Sequence, residues 1–77
     1  MAQKVYIVGL KAGARQPPAE VTQRVWDALN ALDVAITPVK TTRAGCVVVE
    51  ADEQLERLVN QRYPALFIEE QKYLRRL

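Results

Sequence analysis

Ala35-Ile-Thr-Pro-Val-Lys-Thr-Thr-Arg-Ala-Gly-Cys-Val-Val-Val-Glu-Ala51 is the segment on which the fold turns. Its second half, Cys46 to Ala51, is dense in valine and reads as a strand. The first half, Ala35 to Thr41, also reads as a strand. Pro38 has no N–H to give to a ladder, which confines that strand to a sheet edge or a bulge. Thr42 to Gly45 supplies the turn, so the segment is an antiparallel hairpin.

Helical patterns lie on either side of the hairpin. Upstream, Pro17 and Pro18 suit a first helical turn, where an amide would have no partner. From Ala19 to Leu32, the residues Val21, Val25, Trp26, Leu29 and Leu32 recur at helical spacing, and Asp33 ends the stripe. Downstream, Asp52 suits an N-cap, Glu53 a first turn, and Leu55, Leu58 and Val59 an inner face, before Pro64 stops the helix. Outside the helices come two more strands, Lys4 to Leu10 and Ala65 to Glu70. Lys11 to Gln16 is a loop, and Gln71 to Leu77 is a tail without turn signals.

The order β-α-β-β-α-β predicts an α+β, ferredoxin-like sandwich: a four-stranded antiparallel sheet with two helices on one face. A chain of 77 residues is one domain, 1–77, with 71–77 as its extended C-terminal tail. The second sheet face is then uncovered, and Tyr6, Val8 and Phe67 are candidates to line it. Alternation puts Val5 and Ile7 on one face, and Tyr6, Val8 and Leu10 on the other. Both sets are apolar, so alternation does not choose between them.

Composition excludes several classes. There is no histidine and a single cysteine, Cys46, so no intramolecular disulfide or structural zinc site can form, and no cofactor is called for. Eleven basic and nine acidic residues, interspersed, give +2, a balance that does not require a polyanion. Met1 to Leu10 is too short to span a membrane, and no cleavage region follows it. The expected setting is therefore cytoplasmic if the chain stands free, and secreted if it was excised from a precursor.

An enzyme is not expected: nucleophile elbow, phosphate loop and metal-ligand cluster are all missing. Glu69 and Glu70 are adjacent on a strand and point to opposite faces. Val5 to Leu10 resembles the first strand of an RNA-recognition motif, with Tyr6 as the stacking residue. The third strand offers no aromatic, however, so sheet packing is the better reading of Tyr6.

At both ends the chain resembles the subtilisin propeptide family, which includes free-standing protease inhibitors. Tyr6-Ile7-Val8-Gly9-Leu10-Lys11 is similar to the family's opening motif. Asp52-Glu53 at the second helix, Pro64 near its end, and Leu66-Phe67-Ile68-Glu69-Glu70 are similar to its closing half. The seven residues Gln71 to Leu77 equal the tail that leads to the cleavage point in bacterial propeptides.

The resemblance implies a non-enzymatic partner of a subtilisin-like serine protease, as inhibitor or folding chaperone, monomeric when free and without a nucleic-acid or membrane partner. In the family, the open sheet face, here carrying Phe67, packs on two parallel helices of the protease. Acids spaced two apart cap those helices; the matching positions are Glu69 and Gln71. Glutamine can accept a hydrogen bond but lacks the charge–dipole attraction of a carboxylate. The tail, with Tyr73, would enter the substrate cleft as an added strand. Leu77 would fill the primary pocket and Leu74 the apolar pocket three residues earlier, with Arg75 and Arg76 toward solvent. Two other readings remain: a ferredoxin-like RNA-binding module, and a homodimer formed through the sheet face.

Overall fold

A valine run such as Val47 to Val49 is stable only where both neighbouring strands and a covering layer remove it from water. The computed structural model, which describes residues 3–12 and 15–71, provides those surroundings. Its elements are β1 (Gln3–Leu10), α1 (Pro18–Asn30), β2 (Ile36–Thr41), β3 (Val47–Asp52), α2 (Gln54–Arg62) and β4 (Leu66–Glu70). The strands form one sheet in the order β2-β3-β1-β4, with every neighbouring pair antiparallel. This is the expected α+β, ferredoxin-like arrangement. Pro38 does what its chemistry requires, for β2 is an edge strand whose register shifts between Pro38 and Lys40. Val39, the residue at that irregularity, is 51% exposed.

The core lies between the sheet and the two helices. Tyr6 and Val8 of β1, Val47, Val49 and Ala51 of β3, and Leu66 and Ile68 of β4 face inward. They meet Val21, Val25 and Leu29 of α1, and Leu55 and Val59 of α2, while Leu32 closes the end of the first helix. Each fully buried side chain of this size contributes about 1.5–3 kcal/mol relative to exposure. Trp26, half-buried, packs against the rim.

Local chemistry sets the ends of the elements. Pro17 takes the position before α1 with an extended backbone, and the Glu20 and Val21 amides donate back to its carbonyl. The second helix begins at Gln54, two residues after Asp52. The N-cap position is therefore Glu53 rather than the expected Asp52, and Glu53 makes no capping bond. Asp52, one residue earlier, still satisfies a first-turn amide, its Oδ1 accepting from Gln54 at 2.9 Å. At the other end, the Tyr63 amide donates to Val59 and the Leu66 amide to Tyr63, both at 2.9 Å, turning the chain at Pro64 into β4.

The hairpin turn is tied to the start of α1. Gly45 donates to the Thr42 carbonyl at 3.0 Å, and the Thr42 hydroxyl accepts the Cys46 amide at 3.1 Å. The Thr22 hydroxyl on α1 donates to the Gly45 carbonyl at 2.7 Å. Gly45 has φ of +95°, and a Cβ there would collide with the Pro18 carbonyl. Only glycine satisfies both conditions. Gly45→Ala is therefore expected to cost about 1–3 kcal/mol of unfolding free energy. Urea titration checks it; an unchanged midpoint would show that the turn does not press on α1.

Tyr6 is fully buried, yet its hydroxyl has no hydrogen-bond partner among the described residues. Burial raises its pKa, and the negative charges of Glu56, Glu70, Glu53 and Asp52 raise it further. The folded state thus keeps the phenol protonated, whereas the unfolded chain ionises near the reference value of about 10. Stability from this source is complete below that pH and is lost as pH rises above it. Tyr6→Phe removes an unsatisfied group, so stability at neutral pH should stay level or rise by up to about 1 kcal/mol. The variant should also lose less stability between neutral and alkaline pH. Denaturant unfolding at both values is the measurement, and a neutral-pH loss above about 1 kcal/mol would mean that the hydroxyl is satisfied.

Candidate functional site: the uncovered sheet face

Side chains alternate along a strand, so anchoring Tyr6 and Val8 beneath the helices sends Val5, Ile7 and Gly9 to the opposite face. The register then assigns the rest. Ile7 lies opposite Val48 on β3 and Glu69 on β4; Val5 lies opposite Glu50, and Gly9 opposite Phe67. Thr37 and Lys40 of β2 lie opposite Glu50 and Val48. The face therefore carries an apolar centre of Val5, Ile7, Val48 and Phe67, rimmed by Thr37, Lys40, Glu50 and Glu69.

This corrects one expectation. Tyr6 and Val8, candidates for the open face, are both 0% exposed in the core, and of the three named residues only Phe67 is on the uncovered side. A buried Tyr6 cannot stack a base, which removes the residue on which the RNA-binding alternative depended. Val48 is 3% exposed although no described helix lies on its side of the sheet, with Ile7 on β1 and Lys40 on β2 opposite it.

Gly9 shapes the middle of the face. A Cβ at this position would stand 2.5 Å from the Cys46 Sγ and 2.7 Å from the Phe67 ring. The ring and the thiol thus close over the bare backbone, and the half-buried Phe67 lies flat across the sheet rather than projecting from it. A glycine inside a strand is the one sequence signal that could have found this arrangement.

At the end of β4 the two neighbouring glutamates separate as their alternation demands. Glu69 is exposed on the open face and makes no ion pair among the described residues. Glu70 turns to the helix side, where Lys4 Nζ stands 3.8 Å from it and 3.7 Å from Glu53. Both pairs are partly solvated and contribute at most about 1 kcal/mol each. They nevertheless give Glu70 a place between β1 and the start of α2.

The Gln71 amide donates to the Val5 carbonyl at 2.7 Å, carrying the β1–β4 register one residue past the strand. Alternation then puts Gln71 on the face of Glu69 and Val5, the spacing-by-two relation expected from the sequence. Tyr73, Leu74, Arg75, Arg76 and Leu77 lie outside the described residues. Among the expected contact residues, then, the fold brings Phe67, Glu69 and Gln71 together on one surface.

Among the described residues, no group of three or more carboxylate or cysteine side chains could hold a metal ion. No described helix is long and apolar enough to cross a membrane. In comparisons with protein-family models, curated proteins and solved structures, nothing matches this chain.

Because the Gly9 site is closed by a ring and a thiol, Gly9→Ala must push one of them aside. The expected cost is about 1–3 kcal/mol, the range for overpacking. Amide shifts should spread from residue 9 to Cys46 and Phe67 without reaching Val25 or Leu29 in the core. An unperturbed spectrum at Phe67 would show that the ring does not cover the glycine.

Proposed function

We propose that this domain is a non-catalytic ligand of a subtilisin-like serine protease, docking through its uncovered sheet face. What carries the reading is the placement of Glu69 at the edge of an apolar face centred on Ile7, Val48 and Phe67. Helix N-termini present unsatisfied amides and partial positive charge, so a carboxylate held at the margin of a docking surface can cap one. Gln71 can accept a hydrogen bond beside it. The likeness of both chain ends to the subtilisin propeptides supplies the identity of the partner.

The size of the face bears on the mechanism. Four strands spaced about 4.8 Å apart, each some six residues long, offer roughly 400 Å². A stable interface takes roughly 800 Å² from each partner. The face alone is too small, and tail residues Tyr73 to Leu77, paired as an added strand in the substrate cleft, would contribute the remainder. On the likeness to the propeptides, Leu77 and Leu74 would fill the pockets of that cleft. A free-standing inhibitor, folded on its own, suits the well-formed core better than a propeptide that folds only on its enzyme.

Inhibition of a broad-specificity subtilisin tests this directly. The full chain should inhibit at or below micromolar concentration, and a chain lacking Tyr73 to Leu77 should be at least about a hundredfold weaker, as expected when a central anchor is lost. Glu69→Gln should weaken binding about three- to tenfold through the lost charge–dipole attraction. Absence of inhibition by the intact chain would sink the proposal. Equal potency of the truncated chain would leave the face but remove the tail from the mechanism. Sedimentation of the free chain as a dimer would point to a second copy as the occupant of the face.

A further inference from the structure

The opposite side of the molecule carries a groove that the protease reading does not use. It has a volume of about 400 Å³, within the range of small-ligand pockets. It opens where the helices part: α1 packs on β1, while α2 packs on β4 and β3. Leu10 and Leu66 form the floor, with Ala28 on the α1 side and Tyr63, Pro64 and Ala65 on the other. Leu10, Ala28 and Tyr63 are half-buried against the core, so their apolar surface is fixed in place and still open to a ligand.

Charge at the rim gives the groove a polarity. Arg24 on α1 and Arg62 at the end of α2 line it from different elements, against one carboxylate, Asp27. Among the described residues Arg62 makes no ion pair. Arg24 pairs, among the described residues, with Glu20, at 3.5 Å on an exposed helix surface, where an ion pair adds little. Asp27 accepts from the neutral Gln23 amide at 3.5 Å and keeps its charge, so the lining side chains carry two positive charges against one negative. An arginine side chain ends in a planar fork matched to a carboxylate, and two arginines line this groove beside its apolar floor.

We propose that this groove binds a small amphipathic carboxylate, with an aromatic or branched apolar body on Leu10, Ala28 and Leu66 and its anionic group at Arg62 and Arg24. The site is on the helix side, away from the uncovered sheet face, so both can be occupied at once. Its existence does not depend on what the sheet face binds.

Titrating the isotope-labelled full chain with phenylbutyrate tests this, with phenylbutanol and inorganic phosphate as comparisons. Saturable amide shifts are expected at Leu10, Ala28, Tyr63 and Leu66, with a dissociation constant on the order of a millimolar, as suits so small a ligand. Arg62→Gln, an exposed change that leaves the core intact, should weaken phenylbutyrate about threefold. Ala28→Leu should fill the floor and abolish the shifts, and if that variant does not fold, Arg62→Gln carries the test alone. Equal binding of phenylbutanol or of phosphate, an unchanged affinity in Arg62→Gln, or shifts centred on Val48 and Phe67 would each overturn the proposal.

Discussion

The inward setting of Tyr6 and Val8 is the constraint from which the rest of this molecule follows. Strand side chains alternate with a period of two, so one buried residue in a central strand assigns every other residue of that strand to a face. β1 pairs with both β3 and β4, and its parity is passed to them through the register. Had β1 slipped by one residue, Val5, Ile7 and Gly9 would have faced the helices. Glu69 would have been carried toward the core, and Lys4 and Glu70 would have lost their meeting point. The large Tyr6 ring excludes that alternative, because Gly9 offers nothing to fill the same space. The hydroxyl, left without a partner among the described residues, is the cost of using a tyrosine for this task.

Much of the architecture was legible because each boundary has a local chemical cause. Pro38 announced an edge strand or a bulge, and β2 is both. Thr42 to Gly45 announced a tight turn, and Gly45 holds the positive φ that the turn needs. The stripe Val21, Val25, Leu29 announced the buried side of α1. The face of β1 was not legible for an equally local reason. Val5 and Ile7 are as apolar as Tyr6, Val8 and Leu10, so hydrophobicity gives the alternation no direction. Only the volume of the helical layer above decides it, and that is a tertiary quantity. The pairing of Glu70 with Lys4 was hidden in the same way, since it depends on a register between strands far apart in sequence.

The candidate surface shows the same division. Phe67, Glu69 and Gln71 could be placed together from sequence because they lie on one strand and its extension. Val5, Ile7, Val48 and the Gly9–Cys46–Phe67 arrangement could not, because three strands contribute to them. The groove between α1 and the α2–β4 turn is harder still. Its floor comes from the end of β1 and the start of β4, and its charge from two helices. No window of sequence contains it.

The electrostatics of the open face are set by its carboxylates. A carboxylate at a helix N-terminus gains from the dipole, typically about 0.3–1 kcal/mol at a solvated surface and about 2 kcal/mol when partly buried. With glutamine at position 71 that gain is available once, at Glu69, rather than twice. Glu50 also rims the face, opposite Val5 on β3, the same strand residue that Gln71 meets on β4. The face therefore retains a second carboxylate, displaced across the sheet by two strand spacings, or about 10 Å. Glu69 itself lies two residues further along, opposite Ile7, so it stands roughly 12 Å from Glu50, beyond the about 8–10 Å between packed helix axes.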